Sequence, residues 1–177
     1  MKPVVQYLRS RGYRSAIYLD DLFCMDSEKT CCDRKLNETF QFLESLGFLI
    51  NQKKSMVVSS QRILYLGFII DAAQYQVELP AQKKINLTDR VNSILLNSKM
   101  SIQDLSELVG TLVSYSVVIK YGMLYTKQLE RDKLLALKKS ANDYSAQVKL
   151  SSQSISNLNW WLQVSSKPVK HSRRHIS

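Results

Sequence analysis

Acidic residues are scarce in this 177-residue chain: 15 Asp and Glu stand against 25 Lys and Arg, a formal net charge of +10 at pH 7. That imbalance argues against an acidic partner-binding module and favours a polyanionic partner, because Lys and Arg contacts to phosphate release counterions and supply most sequence-independent affinity. Histidine and cysteine are scarcer still. His171 and His175 lie far from Cys24, Cys31 and Cys32, so the two-pair spacing of a zinc site is missing, and the clustered cysteines are expected to be reduced thiols. Only 5 Gly and 3 Pro interrupt a sequence that is 45% hydrophobic, which excludes collagen-like or low-complexity disorder and leaves enough apolar material for a core. No apolar run approaches the roughly 20 residues that span a bilayer, and no apolar signal region follows the first charges, so a soluble, intracellular protein is expected.

The apolar pattern changes character once. Residues 4 to 11 read as a short helix with Pro3 in its first turn and Gly12 at its end. Residues 13 to 26 alternate like a hairpin, with Cys24 in a strand. Ser27 is then a candidate N-cap for a helix whose apolar positions Cys31, Leu36, Phe40, Leu43 and Leu46 lead to Gly47. Residues 55 to 59 and 62 to 70 read as strands, 75 to 79 as a return strand, and Pro80 closes this region. Beyond Pro80 the apolar spacing is three to four residues. Ile85, Leu87, Val91, Ile94 and Leu95 mark one helix. Ser101 and Asp104 approximate a capping box for a second, where Gly110 suggests close helix packing. Residues 123 to 138 and 153 to 163 complete the helical part. Trp160 and Trp161 are adjacent on the last helix and cannot face one core together, so one is expected to be exposed at an interface.

The expected class is therefore α+β: antiparallel hairpins plus helices over residues 1 to 80, an all-helical region over 81 to 165, and a basic, flexible tail over 166 to 177.

The chemistry concentrates in Tyr18-Leu19-Asp20-Asp21. Successive strand side chains point to opposite faces, so two consecutive carboxylates can share a metal site only where a turn breaks the alternation. An Asp-Asp pair also suits an ordinary surface turn, because Asp side chains hydrogen-bond their own backbone there. Two further segments add weight: Leu46-Gly47-Phe48-Leu49-Ile50-Asn51-Gln52-Lys53-Lys54-Ser55, and Tyr65-Leu66-Gly67-Phe68-Ile69-Ile70.

In this order the three segments resemble the palm of a retroelement reverse transcriptase. Residues 2 to 9, together with 108 to 114, 121 to 129 and Trp160-Trp161, resemble the flanks of that palm in DIRS-like retrotransposons. The resemblance covers roughly residues 1 to 163 and implies two-metal nucleotidyl transfer with Mg²⁺ or Mn²⁺ held by hard oxygen ligands. By this resemblance Asp20 is a direct metal ligand, Asp21 a supporting acid, Tyr18 and Leu19 hairpin supports, and Lys53 or Lys54 a basic group near the triphosphate. Tyr65, Leu66, Gly67 and Phe68 would correspond to a primer grip. The fingers and a third carboxylate that such enzymes carry ahead of this hairpin are not in the sequence, so a palm and thumb fragment, inactive alone, is expected.

The implied partners are an RNA template, a DNA primer and their hybrid. Lys83, Lys84, Lys127, Arg131, Arg173 and Arg174 are candidates for phosphate contact. Each motif also has a plainer reading: a solvated lysine pair, sheet core at Tyr65 and Phe68, or a basic tail unrelated to function. The competing functional class is a non-catalytic nucleic-acid-binding or assembly protein derived from a retroelement.

Overall fold

A computed structural model describes residues 2–96 and 100–165 and divides into two compact units, 1–65 and 66–177.

In the first unit, α1 (Lys2–Ser10) precedes an antiparallel hairpin, β1 (Arg14–Tyr18) and β2 (Asp21–Met25), followed by α2 (Lys29–Ser45) and a short strand, β3 (Arg62–Tyr65). Val4, Leu8 and Leu43 form a small core, with Tyr13, Leu22, Phe42 and Ile50 packed on it. Much apolar surface stays outside it: Leu49 is fully exposed, and Met56, Val57 and Val58 are about half or more exposed.

Two local expectations change here. Helix α2 starts at Lys29, and its N-cap is Glu28, which makes no side-chain cap bond, in place of Ser27. The carboxylate of Asp26 captures the Ser27 N–H at 2.7 Å, so Ser27 serves the end of the hairpin. Residues 55 to 59 form no strand. The Asn51 carbonyl accepts from Lys54 N and Ser55 N, and the Asp33 carboxylate accepts from Ser59 N at 2.9 Å, so turn and side-chain bonds satisfy backbone that a strand ladder would otherwise pair.

The second unit opens with the hairpin β4 (Phe68–Asp71) and β5 (Gln76–Glu78), paired in the register Ile69↔Glu78 and Ile70↔Val77. Four helices follow: α3 (Ala81–Leu96), α4 (Ile102–Tyr115), α5 (Gly122–Lys139) and α6 (Ser152–Ser165). Phe68 and Val77 of the hairpin pack against a helical core that includes Leu87, Val91, Leu105, Leu108, Leu112, Leu129, Leu158 and Trp161. This shared core explains why the compact unit begins at Leu66, although the change from strand to helix falls at Pro80.

Residues 81 to 165 are not all helical. Strands β6 (Met100–Ser101) and β7 (Gln147–Val148) form a two-residue antiparallel pair, with Met100 and Val148 buried in the core. The capping box is present: the Ser101 hydroxyl accepts from Asp104 N at 3.0 Å, and the Asp104 carboxylate accepts from Ser101 N at 3.2 Å.

Gly110 does not mark a close approach, since a Cβ there would meet nothing within 4 Å. The crowding is at Gly122, where a Cβ would lie 2.7 Å from Ser116 Oγ and 2.8 Å from the Trp161 ring. Both tryptophans are used inside the unit. Trp161 is fully buried, and Trp160, half-buried, stacks on Tyr125 with ring centroids 3.7 Å apart and planes within 5°.

Candidate functional site

The hairpin of the first unit closes through the pair Tyr18↔Asp21, leaving Leu19 and Asp20 as a two-residue turn. Leu19 has φ +53°, a left-handed conformation that costs a non-glycine residue about 1–2 kcal/mol, and the residue is 76% exposed. Strained, exposed turn residues of this kind concentrate at functional sites. Asp20 lies in the turn and Asp21 opens β2. Both residues are exposed, at the turn where the alternation of this hairpin is broken.

Tyr65 braces this tip. Its hydroxyl donates to the Asp21 carbonyl oxygen at 3.2 Å, and its ring packs against Phe23 with centroids 4.9 Å apart and an interplanar angle of 30°. Burial, then the neighbouring Asp21 charge, pushes the phenol above its ordinary range, so it remains a neutral donor. The third sequence motif thus begins with a residue that touches the first.

The other end of the hairpin is tied to α2. Lys35 Nζ donates to Asp26 Oδ2 at 2.6 Å and to the Gly12 carbonyl at 3.2 Å. The Lys35 hydrogen bond, helped by the Ser27 N–H, lowers the Asp26 carboxyl to about 2. The Tyr13 hydroxyl donates to Glu38, whose other oxygen accepts from Arg34 Nη1 at 3.0 Å. Cys24, Cys31 and Cys32 are free thiols, and burial, then proximity to Cys32, raises the Cys24 thiol.

The remaining candidates separate by unit. In the first, Lys53 and Lys54 are exposed on the turn after α2. In the second, Leu66 (φ +49°) repeats the left-handed leucine seen at Leu19 and precedes Gly67 at φ +76°. A Cβ on Gly67 would come within 2.5 Å of Lys83 Nζ. That ammonium lies 4.8 Å from the Phe68 ring centroid and 5.6 Å from that of Tyr115, so Lys83 is held over aromatic faces. Lys84 is half-buried beside Glu78 and Leu79. Lys127 and Arg131 are exposed on α5, with Lys127 Nζ 2.9 Å from Glu130. Arg173 and Arg174 lie outside the described residues.

Sequence reasoning missed Tyr65 as a brace for the tip and Lys35 as its distant anchor. Both contacts join residues far apart in the chain, and no local pattern signals them.

Two carboxylates suit Mg²⁺ or Mn²⁺ in donor type. In number they do not make a two-ion site: among the described residues no three His, Cys, Asp or Glu side chains are grouped to hold a metal. No helix among the described residues is long and apolar enough to cross a membrane.

No family model and no curated protein matches the chain. Its fold is similar to part of a solved structure described as the foamy viral protease-reverse transcriptase dRH in complex with double-stranded DNA. The TM-score is 0.65 at 18% identity, covering 93% of this chain and 26% of that one. The chain thus spans about a quarter of that protein's length, and at this identity the likeness is one of fold: reverse-transcriptase-like, mixed helices with small antiparallel sheets.

Proposed function

We propose that this chain is the palm-hairpin and thumb-like portion of a reverse transcriptase of retroelement origin, with the DIRS-like group favoured by its sequence motifs. In the parent enzyme it takes part in RNA-directed DNA synthesis by two-metal nucleotidyl transfer. The observation that carries this reading is the Asp20–Asp21 pair, exposed where the Leu19–Asp20 turn meets β2, within a fold that matches a reverse transcriptase over nearly the whole chain. Asp20 serves as a metal ligand and Asp21 as its support. Lys53, Lys54, Lys83, Lys84, Lys127 and Arg131 contribute positive charge toward template, primer or hybrid. Mg²⁺ or Mn²⁺, when bound, supplies activation of the primer hydroxyl and charge neutralisation at the leaving phosphate.

By itself the chain binds nucleic acid without completing this chemistry. The second reading, a non-catalytic nucleic-acid-binding or assembly protein, is supported by the net charge of +10, which attracts a polyanion without any metal site.

The experiment is binding of an RNA–DNA hybrid and of single-stranded DNA at several salt concentrations, with primer extension in Mg²⁺ run alongside. Affinity is expected to fall steeply with salt, with a log-log slope of roughly 0.7 to 0.9 per phosphate neutralised, without sequence preference. No extension is expected. Affinity that is flat with salt would reduce the basic surface to solvation, and extension abolished by Asp20→Ala would overturn the claim of an incomplete site.

A further inference from the structure

Within the first unit a cleft of about 510 Å³ opens beside α1 and α2, lined by none of the residues assigned above to metal or nucleic acid. Its volume lies within the roughly 300–1,000 Å³ of small-ligand sites. One wall is aromatic: Tyr7 and Phe42 stack with centroids 4.6 Å apart and planes 24° from parallel, and Tyr13 adds a second surface. The charged lining is predominantly cationic, with Arg11, Arg34 and Lys35 against Glu38.

The hydrogen bonds decide which charges face a ligand. Both Glu38 oxygens are engaged, one by Arg34 and one by the Tyr13 hydroxyl. Lys35 is committed to Asp26 and the Gly12 carbonyl. Arg11 makes its hydrogen bond to a neutral group, donating from Nη1 to the Tyr7 hydroxyl at 2.9 Å, with its guanidinium carbon 5.6 Å from the Tyr7 ring centroid. Arginine has five N–H donors in a fork that matches phosphate, so Arg11, although its charge is also felt at Glu38 and Tyr13, keeps most of its donors for a ligand. A cation of this kind beside a stacked aromatic pair fits a planar base carrying a phosphate. A bare anion would leave the wall unused, and an uncharged ring would leave the arginine unused.

We propose that this cleft is a nucleoside-phosphate site, with the phosphate on Arg11 and the base against the wall formed by Tyr7 and Phe42. The same chemistry is offered by a free nucleotide and by the 5′-phosphorylated end of a single strand. The proposal is independent of the reverse-transcriptase reading, which draws on other residues.

The test is an NMR titration of the isotope-labelled full chain with AMP, adenosine, inorganic phosphate and a short 5′-phosphorylated single strand of deoxyadenosine. AMP is expected to shift the signals of Tyr7, Arg11, Tyr13, Arg34 and Phe42 and to bind about tenfold or more tighter than adenosine or phosphate alone. Arg11→Ala should weaken AMP by about tenfold with the dispersed spectrum retained, whereas Lys138→Ala, at an exposed position of α5 with no assigned role, leaves AMP affinity unchanged. Tighter binding of the strand identifies a strand end as the source; equal or weaker binding identifies the free nucleotide. Phosphate binding as tightly as AMP, shifts located elsewhere, or unchanged affinity in a folded Arg11→Ala would overturn the proposal. Should Arg11→Ala fail to fold, the comparison of AMP with its two halves on the unmutated chain decides alone. Salt-dependent nucleic-acid binding that persists while the cleft stays silent would sink this proposal and leave the reverse-transcriptase reading standing.

Discussion

The hydroxyl of Tyr65 donates to the backbone carbonyl of Asp21 across 3.2 Å, although 44 positions separate the two in the chain. The contact fixes the first residue of β2, and with it the base from which the Asp20–Asp21 tip projects. Tyr65→Phe keeps the ring on Phe23 and removes only the donor, so it is expected to cost about 0.5–1.5 kcal/mol in urea unfolding and to speed amide exchange in residues 21 to 23. Tyr65→Ala, losing the ring as well, should cost more. A Phe variant that matches the parent in both measurements would remove the brace from this account.

Gly67 and Lys83 are coupled by space. Gly67→Ala places a Cβ where the Lys83 ammonium sits and holds alanine at φ +76°, for an expected loss of about 1–2 kcal/mol. Because the crowding atom ends a flexible side chain, part of that loss is the displacement of Lys83 from Phe68 and Tyr115. In a Lys83→Ala background the same substitution should therefore cost about 0.5–1 kcal/mol less, as a double-mutant cycle would measure. Strict additivity would leave backbone conformation as the whole cause.

Asp132 is, with Asp71, a buried carboxylate of the second unit. Its Oδ2 accepts from Ser151 N and Ser151 Oγ, both at 2.8 Å, and from Ser154 Oγ at 2.6 Å, while Gln128 Nε2 reaches Oδ1 at 3.2 Å. Burial alone would raise this acid, but the hydrogen bonds from Ser154, Ser151 and Gln128 outweigh it and hold it below its ordinary range. Its stabilising contribution is thus complete above the unfolded value near 4 and is lost as pH falls through the lower folded value. Asp132→Ala is expected to cost on the order of 2–3 kcal/mol at pH 7, and the gap in unfolding free energy should close in strong acid. A gap independent of pH would mean that the ionised form is not what the serines hold.

What the sequence made legible is what local chemistry encodes. The Ser101–Asp104 box is a three-residue relationship and could be read directly, as could the break in alternation at Asp20–Asp21. The Ser27 cap failed because Asp26, one residue earlier, takes the Ser27 amide and pairs with Lys35 instead. The strand expected at residues 55 to 59 failed because Asn51 and Asp33 supply competing backbone partners. Strands β6 and β7 are two residues each and pair across the whole of α4 and α5, a length and separation that carry no periodic signal. One of Trp160 and Trp161 was expected at an interface because adjacent helix positions diverge; Trp161 is buried, and the stack that partly covers Trp160 comes from Tyr125, on another helix. In the candidate site the tip was legible, while Tyr65, Lys35 and Asp26, which hold the hairpin at its two ends, were visible only in three dimensions.

The most direct test of the central claim, that the Tyr18–Asp21 hairpin is the carboxylate tip of a polymerase palm, is paramagnetic broadening of amide signals by Mn²⁺ in the labelled full chain. Broadening is expected to centre on residues 18 to 23, to be competed by Mg²⁺ and to be lost in Asp20→Asn with the fold retained. Broadening spread across other acidic residues, or unchanged in Asp20→Asn, would contradict that claim and leave Asp20 and Asp21 as an ordinary surface turn.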